Sequence, residues 1–195
     1  MNFRRICVFC GSNLGTNPAY RSAAASLGRI LVAREIELVY GAGNVGLMGV
    51  LANTVLEAGG RVIGVIPGSL MDKEVGHRDL TDLHIVNSMH ERKAVMADLS
   101  DAFIALPGGF GTFEEFCEIV TWAQLGLHSK PCGLLNVKGY YDSLLELFDH
   151  SVREGFLRED NRTIVLEDRD VSRLLEKMSA FVPQPADKWV WRVEP

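Results

Sequence analysis

The feature that most constrains this chain is a near-regular alternation of short β-rich runs with helical stretches. Seven runs, RICVFC, IELVY, RVIGVI, LHIV, AFIAL, CGLLNV and TIVLE, are rich in apolar and branched residues. Between them, helices are predicted over residues 18–34, 46–58, 89–99, 113–125, 140–154 and 171–179. Such alternation builds βαβ units with right-handed crossovers, so the strands lie parallel and helices cover both faces. The expected fold class is therefore α/β, a doubly wound parallel β-sheet. Punctuation agrees: Asn17 precedes Pro18 as a cap, and Gly59-Gly60 stops the second helix. The 195 residues suit one domain over 1–182, followed by a C-terminal tail, 183–195. In the tail, Trp189, Val190 and Trp191 are expected to dock on the body or on a partner subunit.

Composition narrows the partners. Net charge is −5 and no run of Lys or Arg exceeds two, so the chain lacks the basic footprint of a nucleic-acid or anionic-membrane binder. No apolar stretch is long enough to span a bilayer, and the N-terminus reads as a first strand rather than a signal peptide. The expected compartment is the cytoplasm. Cys7 and Cys10 have C-x-x-C spacing, but on a strand positions i and i+3 face opposite sides, so both read as buried small hydrophobes. His84 and His90 lack a metal-ligand pattern. The polar connection GSLMDKEVGHRDLTD, residues 68–82, is long enough to be a functional loop.

In an open parallel sheet ligands collect at the carboxyl ends of the strands, so the residues just after each run deserve most weight. YGAGNVGLMG follows the second run, and Gly41, Gly43 and Gly46 fit G-x-G-x-x-G. The acidic residue that a dinucleotide site expects on the next strand is missing, which disfavours NAD. A tight strand-to-helix turn explains these glycines as well as a ligand does. LPGGFGTFEE follows the fifth run. Its glycines allow backbone N–H groups to approach an anion, the next helix adds positive charge at its start, and Thr112 can donate a hydroxyl. The loop has no G-x-x-x-x-G-K-[ST] and suits one phosphate rather than a triphosphate.

Two charged pairs need explanation. Thr112-x-x-Glu115 spells a capping box, which makes Glu115 helix punctuation; both Glu114 and Glu115 then occupy the first turn. Against this, Glu115 shares a stripe with Ile119 and Trp122, whereas Glu114 aligns with Glu118. A carboxylate on an apolar stripe points to a cleft. Ser88-x-x-Glu91 is a second capping box, placing Arg92 and Lys93 near a helix start, where cations cost about 0.3–1 kcal/mol each. Arg92 continues the stripe of Val95, Met96 and Leu99, so it is poised over the ligand crevice. Snorkelling to solvent or pairing with an acid is the alternative for Arg92, and Lys93 reads equally as a surface charge.

With these residues in place the chain resembles the LONELY GUY family, the cytokinin riboside 5′-monophosphate phosphoribohydrolases. The family hallmark P-G-G-x-G-T-x-x-E stands here from Pro107 to Glu115. CGS, GNVGLMG, MHERK, TWAQLG and KPCGLLNVKGYYDSLL extend the likeness over nearly the whole chain except its last fifteen or so residues. The resemblance implies a Rossmann-like fold and homodimers with active sites near the interface. It implies cleavage of the N-glycosidic bond of N6-modified adenosine 5′-monophosphates, and of AMP, without metal or cofactor. Arg92 and Glu115 are the implied catalytic residues. Implied substrate contacts are Ser12, Gly43, Met48, Glu74, Arg92, Lys93, Gly108, Gly109, Phe110, Gly111, Thr112, Phe113, Glu114, Glu115 and Thr121. A pyridoxal-lysine signature is absent, which discounts the decarboxylase label some relatives once carried. A nucleotide or molybdenum-cofactor carrier on the same fold is the competing reading, with an NAD oxidoreductase behind it.

Overall fold

The computed structural model describes residues 2–71, 76–77 and 79–183. Seven strands form one parallel sheet: β1 (Arg5–Phe9), β2 (Glu37–Tyr40), β3 (Val62–Pro67), β4 (Asp82–Val86), β5 (Ala102–Ala105), β6 (Cys132–Leu135) and β7 (Val165–Asp168). Their order is β4-β3-β2-β1-β5-β6-β7. The chain winds outward from β1 in one direction, returns, and winds outward in the other, so the order reverses between β1 and β5. The connections leaving the carboxyl ends of these two strands part to opposite faces of the sheet, and the crevice between them is where such folds take ligands.

The helices are α1 (Pro18–Ala33), α2 (Gly46–Glu57), α3 (Met89–Leu99), α4 (Phe110–Gln124), α5 (Asp142–Arg153), the short α6 (Glu159–Arg162) and α7 (Val171–Ser179). Alternate strand residues sort them into two layers. Ile6, Val8, Leu38, Tyr40 and Ile104 face α1, α2 and α7, while Cys7, Phe9, Val39, Phe103 and Leu134 face α3, α4 and α5. Cys7 and Cys10 accordingly lie in different cores, both reduced. Asn17 caps α1 by accepting the Ala19 N–H at 2.9 Å, and Gly59 leaves α2 with φ +80°. No helix among the described residues is long and apolar enough to cross a membrane. Glu74 and the tail residues Trp189, Val190 and Trp191 lie outside the described residues.

Beyond β1 and β5 the sheet ends in β7, whose last residue is an electrostatic anchor. Asp168 is buried at the start of the turn into α7 and is held by Arg173 at 2.9 Å and Lys177 at 3.0 Å. Burial alone would raise its pKa, but bonds from Arg173, the Asp170 N–H and Lys177 outweigh it and hold the carboxyl well below the usual range. A depressed folded-state pKa stabilises the protein above the unfolded value, and that stabilisation is lost as pH falls toward the folded value. Asp168→Asn is expected to cost about 1–2 kcal/mol at pH 7. The gap from wild type should narrow below about pH 4, the unfolded carboxylate range. Urea denaturation across pH checks this; a gap constant from pH 7 to pH 3 contradicts it.

Candidate active site

Three strand-end loops meet at the switch point. The Gly11 N–H donates to Pro107 C=O at 3.1 Å, and Gly11 C=O accepts from Leu47 N–H at 3.0 Å, joining the loops after β1, β5 and β2. The contact is close enough that glycine is required nearby. A Cβ on Gly108 would lie 2.1 Å from Thr112 Oγ1 and 2.8 Å from Gly11 N, and one on Gly46 would lie 2.2 Å from Ser12 C. Gly43 is packed against Met48, and Gly76 of the long polar loop bridges back to it. Beside that bridge the His77 N–H reaches Ala42 C=O at 2.9 Å.

The glycine loop after β5 is folded differently from its sequence reading in one respect. Helix α4 begins at Phe110 with Gly109 as its cap, three residues earlier than predicted, and no side chain caps it. Thr112 is therefore the third helical residue, and the Thr112–Glu115 capping box does not form. Glu114 and Glu115 fall in the second turn. The physical reason is the close approach of Gly108 to Thr112 and Gly11, open only to glycine, which draws Thr112 into the helix behind the Gly109 cap. At Ser88 the forward half of the capping box forms, with Ser88 Oγ accepting the Glu91 N–H at 3.1 Å, while the Glu91 carboxylate reaches past the cap to the Asn87 N–H at 2.7 Å.

The loop is polarised. Leu106 C=O accepts from Tyr141 Oη at 2.6 Å, Pro107 C=O from Gly11, Gly108 C=O from Tyr140 Oη, and Gly109 C=O from the Phe113 N–H at 3.1 Å. Among the described residues, the N–H groups of Gly109, Phe110, Gly111 and Thr112 have no hydrogen-bond partner. Four carbonyls are thus occupied while four donors remain at a helix start. Thr112 itself is buried, and Phe110 is 92% exposed at the rim.

Beside this loop, α3 and α4 divide two cations among three carboxylates. Lys93, buried, takes both Glu114 and Glu118, the latter at 2.9 Å. Burial opposes its charge, but the two carboxylates prevail and raise its pKa. Lys93 is therefore not a surface charge. Arg92, only 5% exposed, reaches the Gly41 C=O at 3.1 Å and stands 4.0 Å from Glu115 Oε1. That separation is an ion pair without a hydrogen bond. Among the described residues Arg92 Nε is buried without a partner. A Cβ on Gly41 would lie 1.8 Å from the Arg92 guanidinium, so this glycine of the G-x-G-x-x-G pattern makes room for a side chain. Cys7 and Cys10 lie below: burial first, then the charge of Glu115, pushes both thiols upward and keeps them protonated.

Most residues singled out from sequence converge here. Thr121 lies six residues beyond Glu115, about 9 Å along the helix axis, and its hydroxyl is given to Cys117 C=O at 2.7 Å. Ser12 is exposed at the turn after β1. Sequence reading missed Glu118 as a Lys93 ligand and the adjacent Tyr140 and Tyr141. The signal for the tyrosines was an N-V-K-G-Y-Y run directly after β6, where Lys138 and Gly139 both take positive φ.

Known proteins are similar to this chain. A family model described as possible lysine decarboxylase matches residues 48–178. A probable cytokinin riboside 5′-monophosphate phosphoribohydrolase of Oryza sativa subsp. japonica is 56% identical, over 92% of this chain and 80% of that one. A cytokinin riboside 5′-monophosphate phosphoribohydrolase of Arabidopsis thaliana is 50% identical, over 98% of this chain and 92% of that one. The chain belongs to the LONELY GUY family. In fold it also matches the molybdenum cofactor carrier protein of Chlamydomonas reinhardtii, with a TM-score of 0.68 at 22% identity over 91% of this chain and 98% of that one. That likeness concerns the fold alone.

The tight loop junction gives a stability test. Gly108→Ala drives a Cβ into Thr112 and the Gly11 backbone and is expected to cost about 1–3 kcal/mol in urea denaturation. Gly109→Ala meets nothing within 4 Å and should cost distinctly less. Equal losses at the two positions would contradict the geometry.

Proposed function

We propose that this protein hydrolyses the N-glycosidic bond of N6-modified adenosine (cytokinin riboside) 5′-monophosphates, and of AMP, releasing the free base and ribose 5-phosphate. The observation that carries the reading is the Arg92–Glu115 pair set beside a loop whose free polar groups are all donors. Relatives about half identical along nearly the full chain bear the name of this activity.

The chemistry follows from the placement. Breaking C1′–N9 leaves positive charge on the ribose, and the electron pair goes to the purine, which takes up a proton. Water adds to C1′ and gives up one proton. Glu115, close under the carboxyl end of β1, is the carboxylate that stabilises the developing cation and accepts the proton from water. Arg92 stands 4.0 Å from that carboxylate and directs its unpartnered Nε–H to a substrate oxygen or nitrogen. A buried charged donor without an acceptor costs about 1–3 kcal/mol, so its retention points to a ligand that supplies the acceptor. The donors of Gly109 to Thr112 hold the 5′-phosphate at the start of α4. Lys93 suits a scaffold role: its ammonium is held charged by two carboxylates, the opposite of the neutral amine a Schiff base requires.

The homodimer expected of the family finds support in one helical layer. Val95 and Leu99 of α3, Val120 and Trp122 of α4, and Leu144 and Phe148 of α5 are covered only in part. Leu125 and Leu127 continue this apolar surface, and Leu127 is 69% exposed. Sedimentation equilibrium is expected to give twice the chain mass, and a monomer at micromolar concentration would overturn the assignment.

Glu115→Gln is expected to lower kcat by about 10²–10⁴ with AMP or N6-isopentenyladenosine 5′-monophosphate, while the thermal midpoint stays near that of wild type. Chromatographic detection of the released base reads the rate. Turnover at the wild-type rate would remove Glu115 from the mechanism; tight nucleotide binding by the wild type with no base released would favour a carrier.

A further inference from the structure

The two tyrosines under the glycine loop touch different kinds of peptide. Tyr141 donates to Leu106 C=O, in a peptide whose nitrogen belongs to Pro107 and carries no hydrogen. That bond can hold the loop but cannot aim a donor. Tyr140 donates to Gly108 C=O, in the peptide that carries the Gly109 N–H. The described peptides are all trans, so in this planar unit the carbonyl and the N–H point in opposite directions. Fixing one fixes the other.

This peptide is the one most in need of fixing. It joins two glycines, and a Cβ on Gly109 would meet nothing within 4 Å, so packing on that side does not restrain it. Tyr140 is itself well held. Its ring stacks on Phe113 at 6.4 Å and meets Tyr20 and Tyr141 edge-on at 5.7 and 5.1 Å. Lys138 and Gly139, with φ of +55° and +74°, turn the chain back after β6 to deliver it. The Asn136 side chain, 2% exposed, accepts the Tyr141 N–H at 2.8 Å and pins the next residue.

We propose that Tyr140 is a positioning residue for phosphate recognition: its hydroxyl locks the Gly108–Gly109 peptide so that the Gly109 N–H is aimed at the 5′-phosphate. The proposal rests on the phosphate site described above. Preorganising a donor in this way lowers the ordering cost of binding, and a carbonyl that accepts a hydrogen bond leaves its peptide N–H a stronger donor. Tyr140 is 37% exposed, so water can replace its hydroxyl at Gly108 C=O, and Tyr140→Phe keeps the ring contacts.

Calorimetry with ribose 5-phosphate, ribose and adenine separates the possibilities. For Tyr140→Phe the expected result is an affinity for ribose 5-phosphate reduced about tenfold, unchanged adenine binding and an unchanged thermal midpoint. In turnover of AMP the loss should enter through KM rather than kcat. A wild-type preference for ribose 5-phosphate over ribose that survives in Tyr140→Phe overturns the role of Tyr140 alone. Equal weakening of adenine and ribose 5-phosphate also overturns it, because the defect is then general. Equal wild-type affinity for ribose 5-phosphate and ribose overturns the phosphate site, and the proposal with it.

Discussion

Everything at the active face depends on one residue, Gly11. Its N–H and C=O are used in opposite directions, toward Pro107 and toward Leu47. The first bond extends the β1–β5 pairing beyond the last residues of the two strands. The second ties the start of α2 to the same point. A parallel sheet alone would leave three flexible loops at its carboxyl edge. Cross-linked at Gly11, they become one surface, and both the glycine loop and Arg92 are seated against it. The space left by Gly41 then admits the guanidinium at its depth, where a larger residue would expel it.

That surface shows how a fold separates charges of like chemistry. Helix α4 carries Glu114, Glu115 and Glu118 within five positions, and α3 presents Arg92 and Lys93 side by side. Helical geometry puts Glu114 and Glu118 four residues apart on one stripe and Glu115 on the neighbouring one. Lys93 is engaged by the matched pair, which closes α3 onto α4. Arg92 is left opposite Glu115 at 4.0 Å, too far for a hydrogen bond between the two. Two neighbouring cations therefore acquire different work. One is a structural rivet, and the other is a charged donor facing a carboxylate in a site largely shielded from water.

The alternation of strands and helices was legible because each strand is short, apolar and bounded by clear stops. The burial of Arg92 was legible for a similar reason: it continues the apolar stripe by which α3 packs on the sheet. Local capping rules misled at Thr112. They weigh a threonine three residues before a glutamate, but not the ability of Gly108-Gly109 to start the helix sooner. Lys93 was unreadable without tertiary contacts, because its partners come from another helix more than twenty residues away. The tyrosines were hidden for the same reason. Their hydroxyls reach carbonyls 32 and 35 residues earlier in the chain, and nothing in G-Y-Y names those partners.

The same residues explain how a dinucleotide-type fold is turned to a smaller substrate. In a nucleotide fold that reads NAD, the first strand supplies the glycine turn and the next supplies an acid for the ribose. Here the first strand supplies Gly11 as a clamp, and the second supplies Gly41 as a cradle for Arg92. In the proposed reading, anion recognition lies across the switch point at β5, where Pro107 gives the peptide before it no N–H and the carbonyls that follow are tied away. What remains facing outward is a short row of donors at one helix start, with a carboxylate one turn further along. A single phosphate suits such a row, and on the proposed reading a ribose attached to it would extend toward Glu115. The placement of the glycines relative to the helix, more than their number, decides which bond of a nucleotide this surface can reach.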